Sequence, residues 1–281
     1  MIHVYITRLL IVTLVLCCGT ACFAAKHPSL RVAMAQIEIE DGDVAGNMMR
    51  AEDAAREAVK AGAQLVCIPE AADWGWLYQE ARRDAYPIPG RYTNRLSRLA
   101  KELNIWISAG CLEKDGDKTY NSAVLINRQG KIVLKHRKIE TLQGLTKHLY
   151  DWGSADDIKV VDTELGCVGI TICADNFKLA NPQKVADQGA WLLIAPHGFA
   201  AKSSNLKSNS EGYQQHIRTV AKHTGMWVIG TDTVLGKVVG GAWKGMWHSG
   251  CSTLANPNGE AAAVGKFLYP DLVICDIPAG E

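Results

Sequence analysis

MRAEDAAREAVKAGAQLVCIPE, residues 49–70, is the stretch whose reading decides the fold. Residues 49–63 carry Met, Ala and Val on one side at helical spacing, with a Gly near the end, and therefore predict a helix. QLVCIPE (64–70) is a short apolar run halted by Pro69-Glu70, which predicts a buried strand. The same unit recurs outward in both directions. LRVAMAQIE (30–38) reads as the strand before it, and TNRLSRLAKELN (93–104) with IWISAGCLE (105–113) as the next helix and strand.

A hairpin follows in NSAVLINRQGKIVLKHRK (121–138), where Arg-Gln-Gly supplies the turn. GCVGITICADN (166–176) reads as a strand, residues 180–189 as a helix and WLLIAP (191–196) as a strand. HIRTVAKHTG with MWVIGTD repeats the helix–strand unit. CSTLANPNGE (251–260) and DLVICDIP (271–278) read as the closing strands, and NLKSNSEGY (205–213) as an exposed loop. Parallel crossovers alternate with hairpins, so the fold class is α/β with mixed sheets. No linker-like stretch divides residues 30–281, which predicts one domain, and no internal repeat is visible. GxGxxG and GxxxxGK[ST] motifs are absent, which argues against dinucleotide and P-loop binding.

The N-terminus departs from this pattern. Arg8, the apolar run LLIVTLVL and then CCGTACFA have the order of a secretory signal ending near Ala24. The apolar run is shorter than a membrane span needs. The expectation is a cleaved signal over 1–24, a domain over 25–281, and a periplasmic or secreted protein with no membrane attachment after cleavage. An uncleaved anchor and a lipoprotein signal at Cys22 are the alternatives.

The 281 residues carry 30 Lys and Arg against 29 Asp and Glu. Removing Arg8 with the signal leaves 29 of each. A balanced chain without a large basic block gives little support to a nucleic-acid partner. Cys67, Cys111, Cys167, Cys173, Cys251 and Cys275 remain after 1–24. Their spacing is irregular and several lie in apolar runs, so most read as free buried thiols. No CxxC pair or His/Cys cluster suggests a metal.

Three residues lie where α/β proteins place chemistry. Glu70 follows LVCIP, Lys138 ends IVLKHRK and Cys173 stands within GITICAD. A cysteine nucleophile needs a proton acceptor, and hydrolysis of a carbon–nitrogen bond needs positive charge where the carbonyl oxygen turns negative. Spacing alone leaves open that Glu70 and Lys138 are surface residues and Cys173 a packing residue.

The blocks VAMAQ, LVCIPE, HRK, GITICADNF, GAWLLIAP and GCSTLANPNGE, in this order, resemble the nitrilase or carbon–nitrogen hydrolase superfamily over about Leu30 to Pro278. The resemblance implies an α-β-β-α four-layer sandwich, a homodimer or higher homo-oligomer, and a small-molecule substrate hydrolysed without a cofactor. It makes Glu70 the general base, Lys138 the catalytic cation and Cys173 the nucleophile, with the Ala174 N–H helping Lys138 to hold the oxyanion.

Many amidases of this superfamily carry a second glutamate after the lysine. Alignment puts His148 there, with Glu140 as the other candidate. Trp74, Trp76 and Tyr78 are candidates for a substrate wall or for packing, and His197 for substrate contact or a structural bond. Asp175 and Asn176 are expected to hold the nucleophile's turn, and Trp243, Trp247 and His248 to lie near the pocket entrance. The expected activity is hydrolysis of a small amide or carbamoyl-amine through a thioester. Nitrile hydrolysis and an inactive ligand-binding protein are the alternatives.

Overall fold

The computed structural model describes residues 27–146 and 148–280, so the expected signal segment lies outside the described residues. In chain order the elements are β1 (Leu30–Gln36), α1 (Val44–Lys60), β2 (Leu65–Ile68), α2 (Ala81–Asp84), α3 (Arg91–Leu103), β3 (Trp106–Asp115), β4 (Lys118–Ile126) and β5 (Ile132–Arg137). They continue with α4 (Gln143–Thr146), β6 (Val160–Thr163), β7 (Gly166–Ile170), α5 (Ala180–Asp187), β8 (Leu192–His197), β9 (Ala200–Ala201), α6 (Leu206–Thr224) and β10 (Trp227–Asp232). β11 (Val234–Lys237), β12 (Trp247–Ser249), β13 (Thr253–Ala255), β14 (Ala261–Val264) and β15 (Asp271–Ile277) complete the chain.

Two six-stranded sheets run β15-β1-β2-β3-β4-β5 and β14-β13-β10-β8-β7-β6. In each, a central parallel trio is flanked by antiparallel strands: β1-β2-β3 in the first and β7-β8-β10 in the second. The inner core between the sheets takes Val32, Met34, Leu65 and Leu125 from one side and Ile170, Leu192, Ile194 and Ile229 from the other. Outside the first sheet lie α1 and α3, burying Ala51, Ala55 and Leu96 against Val66 and Ile107. Outside the second lie α5 and α6, burying Val185, Tyr213 and Ile217 against Leu193 and Val228. The architecture is the four-layer α-β-β-α sandwich with mixed sheets. Because both trio strands face a helix layer on one side and the other sheet on the other, they read as continuous apolar runs. Among the described residues no helix is long and apolar enough to cross a membrane.

Two local expectations are corrected. Residues 205–213 are not an exposed loop, because α6 begins at Leu206. Its buried positions Leu206, Ser210, Tyr213, Ile217 and Val220 recur at helical spacing, and the small Ser210 fills a core position that its polarity disguises. The strand expected over 166–176 ends at Ile170, and the chain then tightens into a short helical turn over Cys173–Phe177.

Candidate active site

The C-terminal ends of the central strands from both sheets meet at one place, and the site is built there. Glu70 comes two residues after β2. Gly110 of β3 passes so close behind it that an added Cβ would lie 2.5 Å from the Pro69 carbonyl oxygen and 2.6 Å from the Glu70 Cα. Only glycine permits that approach. The Glu70 carboxylate is buried, and its Oε1 accepts hydrogen bonds from Lys138 Nζ at 2.6 Å and from Asn121 Nδ2 at 2.7 Å. Its Oε2 has no partner among the described residues.

Lys138 follows β5, where its N–H bonds the Asn121 carbonyl at 2.7 Å and its carbonyl accepts from the Gly153 N–H at 2.8 Å. Its side chain is only 1% exposed, and the ammonium also stands 5.5 Å from the Trp76 ring. Burial opposes the charge, yet Glu70 and the nearby Cys173 outweigh it and raise the ammonium pKa. The Glu70 charge thus favours the ammonium form of Lys138.

Cys173 opens the short turn after β7 with a left-handed φ of 45°, a strained conformation for a residue with a Cβ. Asp175 locks that turn. Its Oδ2 accepts from the Ile172 N–H at 2.9 Å and meets His136 Nε2 at 2.8 Å, and its Oδ1 accepts from the Ile139 and Glu140 N–H groups, both at 2.8 Å. Burial works against this carboxylate, but His136 and the N–H donors hold its pKa below the usual range. Asn176 accepts from Thr171 Oγ1 at 2.8 Å. Ala174 is fully buried directly after the nucleophile.

Burial and the Glu70 charge push the Cys173 thiol well above its ordinary pKa, against the opposing pull of Lys138 and of the Gly198 N–H beside the sulfur. Cys173 thus favours its thiol form, which would need a base before it could act as a nucleophile. Of the two Glu70 oxygens, Oε1 is held by two donors while Oε2 has no partner among the described residues.

Cys173 opens onto a cavity of about 100 Å³ walled by Trp76, Trp243, Phe177, Phe199, Leu142 and Asn209. Trp76 and Trp243 meet edge to face, with centroids 4.8 Å apart. Of the three aromatics after Glu70, only Trp76 faces this cavity. Trp74 turns to a separate cavity of about 400 Å³ beside Tyr86, Arg91 and Tyr92, and stacks on Tyr78 at 6.0 Å. His197 is fully buried behind the cavity, its Nδ1 donating to the Ala195 carbonyl at 2.6 Å, and burial lowers its pKa to about 3, so it is neutral. His248 is buried and bonds the Phe199 carbonyl at 3.1 Å, whereas Trp247 is 40% exposed under Lys237.

Neither support position reaches Lys138. Glu140 pairs with Lys178 at 2.6 Å, while its own N–H donates to Asp175 Oδ1. His148 is exposed and meets Gln143 Oε1 at 2.9 Å. Among the described residues the lysine's carboxylate partner is Glu70 alone. Asn121 and Tyr150, whose buried ring stands within range of the Glu70 charge, had no motif to announce them. Asn121 could have been found as an amide just before the apolar run AVLI of β4. Among the described residues no group of three or more His, Cys, Asp or Glu side chains gathers as a metal site.

The carbon–nitrogen hydrolase family model matches residues 31–281. A nitrilase of Pyrococcus abyssi is 28% identical over 253 residues, covering 88% of this chain and 89% of that protein. Omega-amidase NIT2 of Bos taurus is 29% identical over 251 residues, covering 84% of each. An amidase of Nesterenkonia sp. has the same fold, with a TM-score of 0.75 at 18% identity over 90% of this chain and 91% of that one. Because the family model spans nearly all of the described residues, the chain belongs to the carbon–nitrogen hydrolase family.

Proposed function

We propose that the protein hydrolyses a small, uncharged amide through a thioester on Cys173. The observation that carries this reading is the division of labour on Glu70, whose Oε1 is held by Lys138 and Asn121 while Oε2 has no partner among the described residues. Glu70 takes the thiol proton as Cys173 attacks the carbonyl carbon. Lys138 and the Ala174 N–H then meet the developing oxyanion. Glu70 returns the proton to the leaving nitrogen, ammonia departs, and the same carboxylate activates the water that cleaves the thioester.

The cavity supports the substrate class. About 100 Å³ is roughly three water volumes, room for a short acyl group. Its walls are aromatic and aliphatic apart from Asn209 and the nucleophile, so an ionised group on the acyl chain would lose its hydration with only Lys138 to answer it. A relative such as the Bos taurus protein is named an omega-amidase, and the neutral walls favour an uncharged acyl group here.

The test is ammonia release by the purified protein across short neutral amides, amides bearing a carboxylate, carbamoyl-amines and nitriles, with C173A as control. Turnover of the short neutral amides above the C173A background is expected. Turnover confined to charged amides or to nitriles refutes the substrate class, and silence across the panel refutes the activity. Export directed by residues 1–24 and pairing of two copies belong to the same reading. Cell fractionation and light scattering test them.

A further inference from the structure

Cys173 is bounded from the second sheet by the turn Gly198–Phe199, which follows β8. One peptide plane of that turn serves both reacting groups. The His197 carbonyl accepts the Glu70 N–H at 3.3 Å, and Gly198, whose N–H lies on the other side of the same plane, lines the cavity together with Cys173, where that N–H favours the thiolate. An added Cβ at Gly198 would stand 3.3 Å from Glu70 Oε2 and crowd the carboxylate. A glycine hinge has two soft dihedrals, so something must hold the chain on its far side.

Asp232 does so. It ends β10 directly opposite His197, and its side chain is fully buried. Its Oδ1 accepts the Phe199 N–H at 2.8 Å, while Oδ2 has no partner among the described residues. Its main chain is tied down by Ser252, whose Oγ accepts the Asp232 N–H at 2.9 Å and lies 3.2 Å from the Asp232 carbonyl.

We propose that Asp232 is a positioning residue for the nucleophile: by holding the Phe199 N–H it fixes the Gly198 hinge so that the Gly198 N–H stays beside the Cys173 sulfur. The inference rests on the proposed cysteine chemistry but not on any particular substrate. The acceptor oxygen is what matters, and a negative charge is not required. Burial pushes the Asp232 carboxyl well above its ordinary pKa, which favours its neutral form, and an ionised Asp232 would only make the thiolate harder to form. The other charged or titratable groups acting on this sulfur are Glu70 and Lys138 from the first sheet and Tyr213 from α6.

The test compares D232N and D232A with the parent. Alkylation of Cys173 by iodoacetamide is followed across pH by mass spectrometry of its peptide, and kcat and KM are measured on any amide the protein turns over. D232N keeps an acceptor oxygen and should match the parent in both. D232A should raise the midpoint of Cys173 alkylation by roughly one pH unit and lower kcat by about 10- to 100-fold with little change in KM. If D232A does not fold, D232S, too short to reach the Phe199 N–H, takes its place. A folded D232A or D232S with the parent's alkylation profile overturns the proposal, and so does a D232N that falls as far as D232A. Because alkylation needs no turnover, failure of the amide reading would show as an inactive parent whose thiol still responds to these variants.

Discussion

The two halves of the molecule share one topology and divide the chemistry between them. In β1-α1-β2-α3-β3 and in β7-α5-β8-α6-β10, three parallel strands are joined by helices on the outer face, and an antiparallel pair follows, β4-β5 in the first and β13-β14 in the second. Beyond the second strand of the first half stands Glu70, and at the end of the second strand of the other stands His197. The first strand of one half ends in Gln36, whose amide holds the Lys266 and Tyr269 carbonyls at 2.6 and 2.7 Å, and that of the other leads into Cys173. In the proposed mechanism, base and cation come from one half, nucleophile and Gly198 from the other. Neither half alone would then hold the reaction, and the geometry of catalysis would be set by how the two sheets pack.

The largest expected effect breaks that asymmetry at equivalent positions. E70Q removes the proton acceptor and should cut kcat by at least about 1,000-fold. H197Q changes a neutral residue outside the reaction and should stay within about 10-fold, despite a stability cost from repacking a fully buried ring. The measurement is kcat on the best amide, with near-UV circular dichroism to confirm folding. Equal losses would mean that the halves share the catalytic work.

Asp175 is the stitch between them. It accepts from His136, Ile139 and Glu140 of the first half and from Ile172 of the second. D175N keeps the shape but loses one acceptor oxygen and the charge. An expected fall in kcat of about 100-fold, with on the order of 3 kcal/mol of stability, follows from leaving buried donors unpaired. Activity and thermal unfolding on the same preparation check it. A stability loss with full activity would show the turn of Cys173 to be self-supporting.

Packing itself can be tested by paired truncations. Ile194 lies between the sheets and Leu96 under the outer helices, both fully buried. I194A and L96A should each cost about 2–5 kcal/mol. Only I194A removes material from the seam that sets the distance between nucleophile and base, so it should also lower kcat several-fold at a temperature where both variants are folded. Equal kcat values would detach the active-site geometry from the inter-sheet core.

What could be read in advance follows the same line. Central strands and the helices of the first half were legible because apolar runs and helical spacing are local. Glu70, Lys138 and Cys173 were legible because each sits in a short block shared with a family. The second half of α6 was legible in HIRTVAKHTG, but its first half was hidden by its polar first turns, where the buried Ser210 and Tyr213 count as polar or neutral in any pattern. Asn121 and Asp232 acquire their roles only through contacts between different strands of a sheet, 51 residues apart for the Asn121–Glu70 bond and 33 apart for Asp232–Phe199. Trp76 and Trp74 are two residues apart yet line different cavities, which no periodicity predicts for an irregular segment. The duplicated topology likewise left no repeat in the sequence, because packing constrains residue class rather than identity.

The smallest effect concerns Asp73, a buried acid of the first half that takes no part in the reaction. Its Oδ1 accepts the Leu112 N–H at 2.9 Å, and burial raises its pKa to about 7 against that bond. In the unfolded chain the group titrates near pH 4, so between about pH 4 and 7 the folded state binds the extra proton. Its contribution to stability is therefore full below pH 4 and is lost as pH rises through 7. The loss between pH 5 and 8 is on the order of 2 kcal/mol. D73N keeps the acceptor for Leu112 and cannot ionise, so its unfolding free energy relative to the parent should improve by that amount from pH 5 to pH 8. Urea titrations at the two pH values measure it. A difference that stays constant with pH would mean that Asp73 is already ionised at pH 5 in the folded chain, whereas a change larger than this would mean that it stays neutral beyond pH 7.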